Sequence, residues 1–410
     1  MTLNDRQLFF PSLTQLRAFS EAAKLSSISR ASEELRRSQS SVTQAIQNLE
    51  AELNVSLLDR TSTGSYLTDM GRILQKRAEA CFARMDAGIR EVLAWDSNSS
   101  SRVATVASRI TKSQVVALIA VNEHGSFAQA ARHVNVSLTS LHRSARGLEE
   151  QVGCKLFKNT AQGVTTSEIG EALSDHFLLG VRELEWAEEE IQAQKGILRG
   201  RLLLGSLMMA GSHFISLQLV DFVPNYPEVN IRLSSGTYDV LLSKLRSGAL
   251  DFISGILKNP PPIDDVVEEV LGYDPYLVVV SQNHHLSGKE NITLADLRAS
   301  EWVLPQPTAR RRTSFNKLFK NGPLPRYNVE THSLPTIFAM LSSGNRIAIL
   351  TRSELAFEQS LSNRLVALNY VLDEPPAALG VTYRKNWEPT RLQRTFLEFL
   401  RQQAKKRLGG

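Results

Sequence analysis

The sequence predicts a multidomain chain: two all-α modules built on one three-helix pattern, each trailed by a long helix, and then an α/β region. Three observations carry that expectation. A segment of roughly 60 residues occurs twice at an offset of 99 positions, and apolar residues inside each copy recur at helical spacing. From Arg201 the chain changes to short apolar runs alternating with helical patterns. The repeat needs no insertion or deletion. Gln15 matches Gln114, Ala18 matches Ala117, Ser27 matches Ser126, Ala31 matches Ala130 and Ser38 matches Ser137. The register holds through Leu49-Glu50 against Leu148-Glu149, Leu57 against Leu156, Thr61 against Thr160, Gly64 against Gly163 and Gly71 against Gly170. Two copies are too few for a solenoid and describe a duplicated module.

In the first helix of each copy Leu16, Phe19 and Ala22 align with Val115, Leu118 and Val121. A short second helix runs from Ala31 to Leu35, and again from Ala130 to Val134. The third presents Val42, Ile46, Leu49 and Leu53, matched by Leu141, Ala145, Leu148 and Val152. Ser38 and Ser137 stand where an N-cap hydroxyl would start that helix, and Asn54 and Gly153 where a left-handed cap would end it. Two longer stripes follow. Met70, Ile73, Leu74, Cys81, Phe82, Met85, Ile89 and Val92 form one; Ile169, Leu173, Phe177, Val181, Leu184 and Ile191 form the other, interrupted by Gly180. Such stripes need a cover, either the chain's own domains or a partner subunit, and a partner is the natural one. Asp96 to Ser101 is a polar low-complexity run and reads as a flexible linker.

The face opposite the third-helix core carries the chemistry. At 100° per residue, Ser40, Thr43, Gln44 and Gln47 point away from Val42 and Ile46, and their counterparts are Thr139, His142, Arg143 and Arg146. Hydroxyls, amides and guanidinium groups suit base edges and phosphates in a major groove. On one helix this would be an ordinary solvated face; its recurrence argues for a nucleic-acid surface.

Ser38-Gln39-Ser40-Ser41-Val42-Thr43, with Ile46, Leu49-Glu50, Leu53, Leu57, Arg60, Gly64 and Leu67-Thr68, resembles the DNA-binding domain of LysR-type transcriptional regulators. Ser137 to Leu141, Leu148-Glu149, Gly153 and Leu156-Phe157 resemble it a second time. The resemblance implies winged helix-turn-helix modules with wings near residues 58–67 and 157–166, in which Arg60 reaches a phosphate or the minor groove. The second copy has Asn159 in place of Arg60 and Leu138 in place of Gln39. Ordinary members carry one such module, so the tandem is itself a departure. DNA-binding candidates are therefore Ser38, Gln39, Ser40, Thr43, Gln44, Gln47 and Arg60, then Ser137, Thr139, His142, Arg143 and Arg146. The resemblance also implies dimerising linker helices.

Beyond Arg201, strands are expected at 202–204, 229–233, 250–256, 276–280, 302–304, 327–330 and 346–350, with helices between them. The alternation argues for largely parallel sheets, whose ligands sit outside the carboxyl ends of the strands. Gly200 to Gly205, Pro224 to Val229, Leu245 to Phe252 and Gly344 to Leu350 resemble the effector domain of the same family. That implies an α/β periplasmic-binding-protein-like effector domain of two subdomains. Thr308 to Arg312, Glu330 to Ser333 and Arg346 to Leu350 look most like galactose-binding-protein regulators. Effector-binding candidates are Ser206, Leu207, Thr237, Thr308, Arg310 and Ser333. Arg310-Arg311-Arg312 suits either an anionic effector or a solvated helix start.

The expected organisation is module 1 at 10–69, linker helix 1 at 70–95, a flexible linker at 96–109, module 2 at 110–168 and linker helix 2 at 169–198. The effector domain covers 199–410, with subdomain I at 199–274 and 374–410 and subdomain II at 275–373.

A net charge of +5 and a pI near 9.2 favour an anionic partner only weakly over 410 residues. No signal segment and no apolar run near 18 residues is present, so the chain reads as cytoplasmic with no membrane partner. Cys81 and Cys154 fall at helical core spacing and read as buried thiols. His284-His285 lacks partners at zinc-site spacing and reads as a loop. No Gly-rich phosphate loop and no Gly-x-Ser-x-Gly elbow occurs, so no catalytic residue, cofactor or metal is assigned. A transported-solute binder would leave two helix-turn-helix modules unexplained. The sequence thus points to a sequence-specific regulator of transcription. Its expected partners are double-stranded DNA, a small-molecule effector (a sugar or an organic or aromatic acid) and further copies of itself as a homo-oligomer.

Overall fold

A computed structural model describes residues 10–61, 64–93, 100–161, 163–208, 212–258, 260–307 and 309–408. The chain divides into two compact units, one of residues 1–200 with 246–249 and 390–392, the other of the remainder.

In the first unit one element order occurs twice. The first pass is α1 (Leu13–Leu25), α2 (Ile28–Glu34), α3 (Gln39–Leu53), β1 (Leu58–Thr61), β2 (Gly64–Leu67) and α4 (Asp69–Leu93). After α5 (Ser100–Arg109) come α6 (Lys112–His124), α7 (Phe127–His133), α8 (Leu138–Val152), β3 (Phe157–Thr160), β4 (Gly163–Thr166) and α9 (Glu168–Gln194). The caps repeat as well. Ser38 Oγ accepts the Ser41 N–H and Ser137 Oγ accepts the Ser140 N–H, while Asn54 and Gly153 close α3 and α8 in the left-handed region.

Two contacts tie each hairpin and long helix to the third helix in the same register. Glu50 Oε1 accepts the N–H groups of Leu57 at 2.8 Å and Leu58 at 3.3 Å, and Glu149 Oε1 accepts those of Leu156 at 2.9 Å and Phe157 at 3.3 Å. Each carboxylate thereby pins the start of its hairpin to the third helix. A Cβ on Gly71 would lie 2.1 Å from the Leu57 carbonyl oxygen, and one on Gly170 the same distance from that of Leu156. Only glycine lets each long helix start against the backbone of its own hairpin.

The long helices α4 and α9 pack extensively against each other. The sequence leads one to expect a partner subunit over their apolar stripes; instead the chain itself covers them, each chiefly by its sister helix, with α5 and α1 also on α4 and α6 also on α9. Cys81, Met85 and Ile89 of α4 share one buried core with Phe177, Val181 and Leu184 of α9. The expected flexible linker at 96–109 is corrected in its second part: residues 100–109 form α5, with Val103 and Val106 buried, while 96–99 lie outside the described residues. Polar composition at Asp96–Ser101 misleads because the apolar residues anchoring α5 come only after it. Arg17 fastens α5 to α1 by donating to the Ala107 and Ile110 carbonyl oxygens.

Among its described residues the second unit holds two five-stranded sheets. Its elements are β5 (Gly200–Leu207), α10 (Ser212–Phe222), β6 (Val229–Gly236), α11 (Tyr238–Arg246), β7 (Phe252–Ile256) and β8 (Val266–Asp274), then β9 (Tyr276–Ser281), α12 (Leu294–Ala299) and β10 (Glu301–Leu304). There follow α13 (Arg310–Leu318), β11 (Tyr327–Glu330), α14 (Leu334–Ser342), β12 (Arg346–Thr351), α15 (Arg352–Leu361), β13 (Leu365–Ala367), β14 (Ala377–Arg384) and α16 (Arg391–Leu408). The sheet orders are β6-β5-β7-β14-β8 and β11-β10-β12-β9-β13. The chain leaves the first sheet after Asp274 and returns at Ala377.

The expectation of largely parallel sheets is corrected. β5 and β7 are parallel, as are β10 with β11 and with β12, but β14 runs antiparallel to both β7 and β8, and β9 antiparallel to both β12 and β13. A chain that crosses from one sheet to the other and back inserts strands in the opposite sense. No single helix among the described residues is long and apolar enough to cross a membrane.

Candidate nucleic-acid interface and effector cavity

The third helix of each repeat buries its apolar stripe completely: Val42, Ile46 and Leu49 in α3 and Leu148 in α8 are 0 % exposed. The opposite faces stand in solvent. Gln39, Ser40, Gln44 and Gln47 are exposed and Thr43 is half-buried; Thr139, Arg143 and Arg146 are exposed. Gln44 Nε2 donates to Asn48 Oδ1 at 2.9 Å, which holds one amide in place along the helix. Arg60 stands exposed on β1, and Asn159 at the equivalent place on β3.

His142 departs from this set. Its ring is half-buried and stacks on Phe127 at 4.1 Å and 7°, which makes it a packing group closing the α7–α8 corner. Sequence reasoning also passed over basic groups beside the helices. Arg36 and Arg37 are exposed in the turn before α3, Arg36 at φ 51°, and Lys158 is exposed on β3. Their absence from the helical stripe hid them; their position in turn and hairpin was the available signal. At the same place before α8 the second copy has Asn135 and exposed Val136, and Leu138 opens the helix 46 % exposed.

In the second unit a cavity of about 130 Å³ opens at strand ends. Leu207 ends β5 and Met208 follows it, Gly236 ends β6 and Thr237 follows it, Ile256 ends β7 with Leu257 and Lys258 after it, and Tyr276, Ala309, Arg311 and His332 complete the wall with Tyr238 and Asp239. Of the expected effector residues, Leu207 and Thr237 line it. Ser206 lies fully buried beneath, and Ser333 is the N-cap of α14, accepting the Thr336 N–H; neither lines the cavity. Thr308 lies outside the described residues, and Arg310 begins α13.

Neither Arg311 nor Arg312 is a solvated helix start. Arg311 is buried and bidentate to Glu354 at 2.8 and 2.9 Å, and Arg312 pairs with Glu330 at 2.6 Å and lies over the Tyr327 ring at 5.0 Å. Glu354 compensates the Arg311 charge, so that guanidinium braces α13 against α15. The Lys258 ammonium sits 5.3 Å over the Tyr238 ring, and Tyr238 donates to Glu268 at 2.9 Å. Burial, then the neighbouring Glu268, push the Tyr238 hydroxyl upward, so it remains a donor. Burial, followed by the nearby Arg311, holds the His332 imidazole below its ordinary range, hence neutral near pH 7. Its Nε2 is buried without a protein hydrogen-bond partner. An orphaned ring nitrogen facing a cavity is suited to a ligand donor or acceptor. A second cavity of about 660 Å³ lies at the crossing between the sheets, lined by Asp274, Pro275 and Pro376 among others.

His284 and His285 stack on each other at 4.3 Å, and His284 Nδ1 accepts the Leu286 N–H. Cys81 is buried and Cys154 half-buried, both as free thiols.

Comparison with known proteins places these pieces. Residues 13–72 and, separately, 113–171 match the bacterial regulatory helix-turn-helix protein, lysR family, and residues 195–405 match the LysR substrate binding domain. The HTH-type transcriptional regulator GalR of Pseudomonas putida is 29 % identical over 376 residues, 91 % of this chain and 92 % of its own length. The DNA-binding transcriptional dual regulator OxyR of Escherichia coli is 25 % identical over 65 % of this chain and 87 % of its own. A full-length OxyR variant of Pseudomonas aeruginosa superposes with a TM-score of 0.54 at 19 % identity, covering 72 % of this chain and 94 % of its own, a likeness of fold.

Proposed function

The chain belongs to the LysR family of transcriptional regulators, and from that premise we propose that it binds duplex DNA through two winged helix-turn-helix modules and responds to a small organic acid in its second unit. One observation carries the DNA reading. The same scaffold is built twice, and each time the face opposite the buried stripe of the third helix is polar and exposed. In each module α3 or α8 is the recognition helix and the β1–β2 or β3–β4 hairpin is the wing. Gln39, Ser40, Thr43, Gln44 and Gln47 face base edges, with Ser38 and Ser137 fixing the helix starts. Arg60, Arg36 and Arg37 hold phosphates beside α3; Thr139, Arg143, Arg146 and Lys158 do so beside α8.

For the effector, the apolar wall of Leu207, Met208, Ile256 and Tyr276 with Lys258, Thr237 and His332 supports an organic or aromatic acid over a sugar. Apolar surface takes the body of such a ligand and a few convergent polar groups fix its orientation. Binding there would bias DNA affinity by a coupling of about 1–3 kcal/mol.

Competition footprinting with genomic fragments at about 0.15 M salt checks the first part. A discrete fragment that outcompetes bulk DNA is the expected result; uniform affinity across fragments sinks it. A thermal-shift screen of organic acids, aromatic acids and sugars on the full chain checks the second. Thr237→Ile should abolish a hit while leaving the footprint unchanged, and a hit that survives this change lies elsewhere.

A further inference from the structure

The contacts between α4 and α9 obey the offset of the duplication. Arg77 of α4 pairs with Glu190 of α9 at 3.0 Å; shifting both partners by the repeat gives His176 of α9 and Glu91 of α4, which pair at 3.0 Å. A Cβ on Gly180 would lie 3.2 Å from the Cys81 carbonyl oxygen, and these two residues are equivalents. A residue meeting its own equivalent marks a two-fold axis, and exchanged pairs on either side are the signature of an isologous interface. The interface that normally requires two chains is present inside one.

The pairing is also directional. Arg77 reaches a second carboxylate, Glu183, at 2.8 Å with both side chains nearly buried. If a second α4 replaced α9 in this geometry, Glu183 would become Arg84 and Gly180 would become Cys81, setting guanidinium against guanidinium and a thiol side chain at the axis. If a second α9 replaced α4, Gly88 would become Ala187. Its Cβ would lie 2.6 Å from that of His176. Neither helix suits its own copy, and each suits the other.

We infer that one chain is a self-contained pseudo-two-fold DNA clamp: α4 and α9 pair in cis and present two unlike recognition helices to two unlike half-sites. This rests on the DNA-binding reading above. Its consequence is an operator that is inherently asymmetric and bound in one orientation. The first half-site is read by the amide- and hydroxyl-rich face of α3. The second is held by the arginines of α8, whose exposed Val136 and Leu138 offer no hydrogen bond at the helix start.

The cis pairing is tested on the surface image pair, away from the DNA faces. Glu91→Cys with His176→Cys in a Cys154→Ser background, treated with bis-maleimidoethane at nanomolar protein, should give a cross-linked product of single-chain mass under denaturing conditions. Predominantly double mass, or no product, overturns the cis pairing. The asymmetry is tested on the wild-type protein with the footprinted operator and two symmetrised versions, each duplicating one half-site. Both symmetrised sites should bind at least tenfold more weakly. Equal or tighter binding to either one overturns it. Absence of any sequence-preferred fragment removes the DNA reading itself, while the cross-link still decides how the helices pair.

Discussion

The two copies keep the same contacts to their own backbone and differ in the side chains they turn to solvent. Glu50 and Glu149 hold their hairpins through the same pair of amide groups, and Gly71 and Gly170 admit the same carbonyl. Exposed Gln39 and Gln44 in α3 correspond to exposed Leu138 and Arg143 in α8, and Arg60 corresponds to Asn159. A carboxylate that holds backbone amides, or a glycine pressed against a carbonyl, leaves few substitutions that keep the contact, whereas a solvated face tolerates many at little change in stability. A duplicated module can therefore keep its scaffold and acquire a second surface chemistry. The α4–α9 interface differs between its two halves: Arg77 is buried between two carboxylates, while its image His176 pairs with Glu91 and keeps 31 % side-chain exposure.

That last difference yields the largest expected effect. Arg77→Ala leaves Glu183 buried without its partner and should cost about 3–5 kcal/mol, whereas His176→Ala should cost under about 1 kcal/mol. Chemical denaturation of the full chain measures both, and equal losses would show that the two images are energetically alike. Next come the paired glycines. Gly71→Ala and Gly170→Ala each force a methyl group into a carbonyl and should each cost about 1–3 kcal/mol; the two melts should shift alike, and unlike shifts would break the equivalence of the scaffolds.

On DNA the copies should separate. Thr43→Ala with Gln44→Ala should lower the ratio of specific to bulk affinity about tenfold or more, as expected for lost base contacts. Arg143→Ala with Arg146→Ala should weaken both alike and reduce the salt slope by about two. Fluorescence titrations over a range of salt distinguish these patterns, and an exchange of the two outcomes would reverse the division of labour.

The smallest effect is pH-dependent. Burial raises the Asp175 carboxyl on α9 from 3.8 to about 6, against the opposing charges of His176 and Arg246. Between those values the native state binds the proton and the unfolded chain has lost it, so this group's contribution makes stability fall as pH rises from about 4 to about 6. Asp175→Asn should match the wild-type Tm below pH 4 and exceed it above pH 6. A difference unchanged across that range would show that Asp175 does not carry this dependence. Its equivalent in α4 is Lys76, so the first copy has no such group.

Much of this is legible in the residues themselves. The duplication, the three helices of each copy, their caps and the polar faces follow from periodicity and from residue types with narrow backbone preferences. Every strand expected beyond Arg201 is present, but β8, β13 and β14 have no counterpart in that expectation. β8 reads Val-Val-Glu-Glu-Val-Leu-Gly-Tyr-Asp, half-exposed along most of its length and without clean alternation. β13 has three residues, too short for a pattern.

By itself the sequence determined which surfaces must be covered, because an apolar stripe at helical spacing reports burial along one dimension. Only the tertiary structure decided what covers them. Periodicity carries no information about the partner, and it was the meeting of Cys81 with Gly180 and of Arg77 with Glu183 and Glu190 that set α9, in the same chain, over α4. The same holds for single side chains. His142 reads as a polar-face residue until Phe127 stacks on it, and Arg311 as an anion holder or a solvated helix start until Glu354 takes both its terminal nitrogens, since such contacts join residues far apart along the chain.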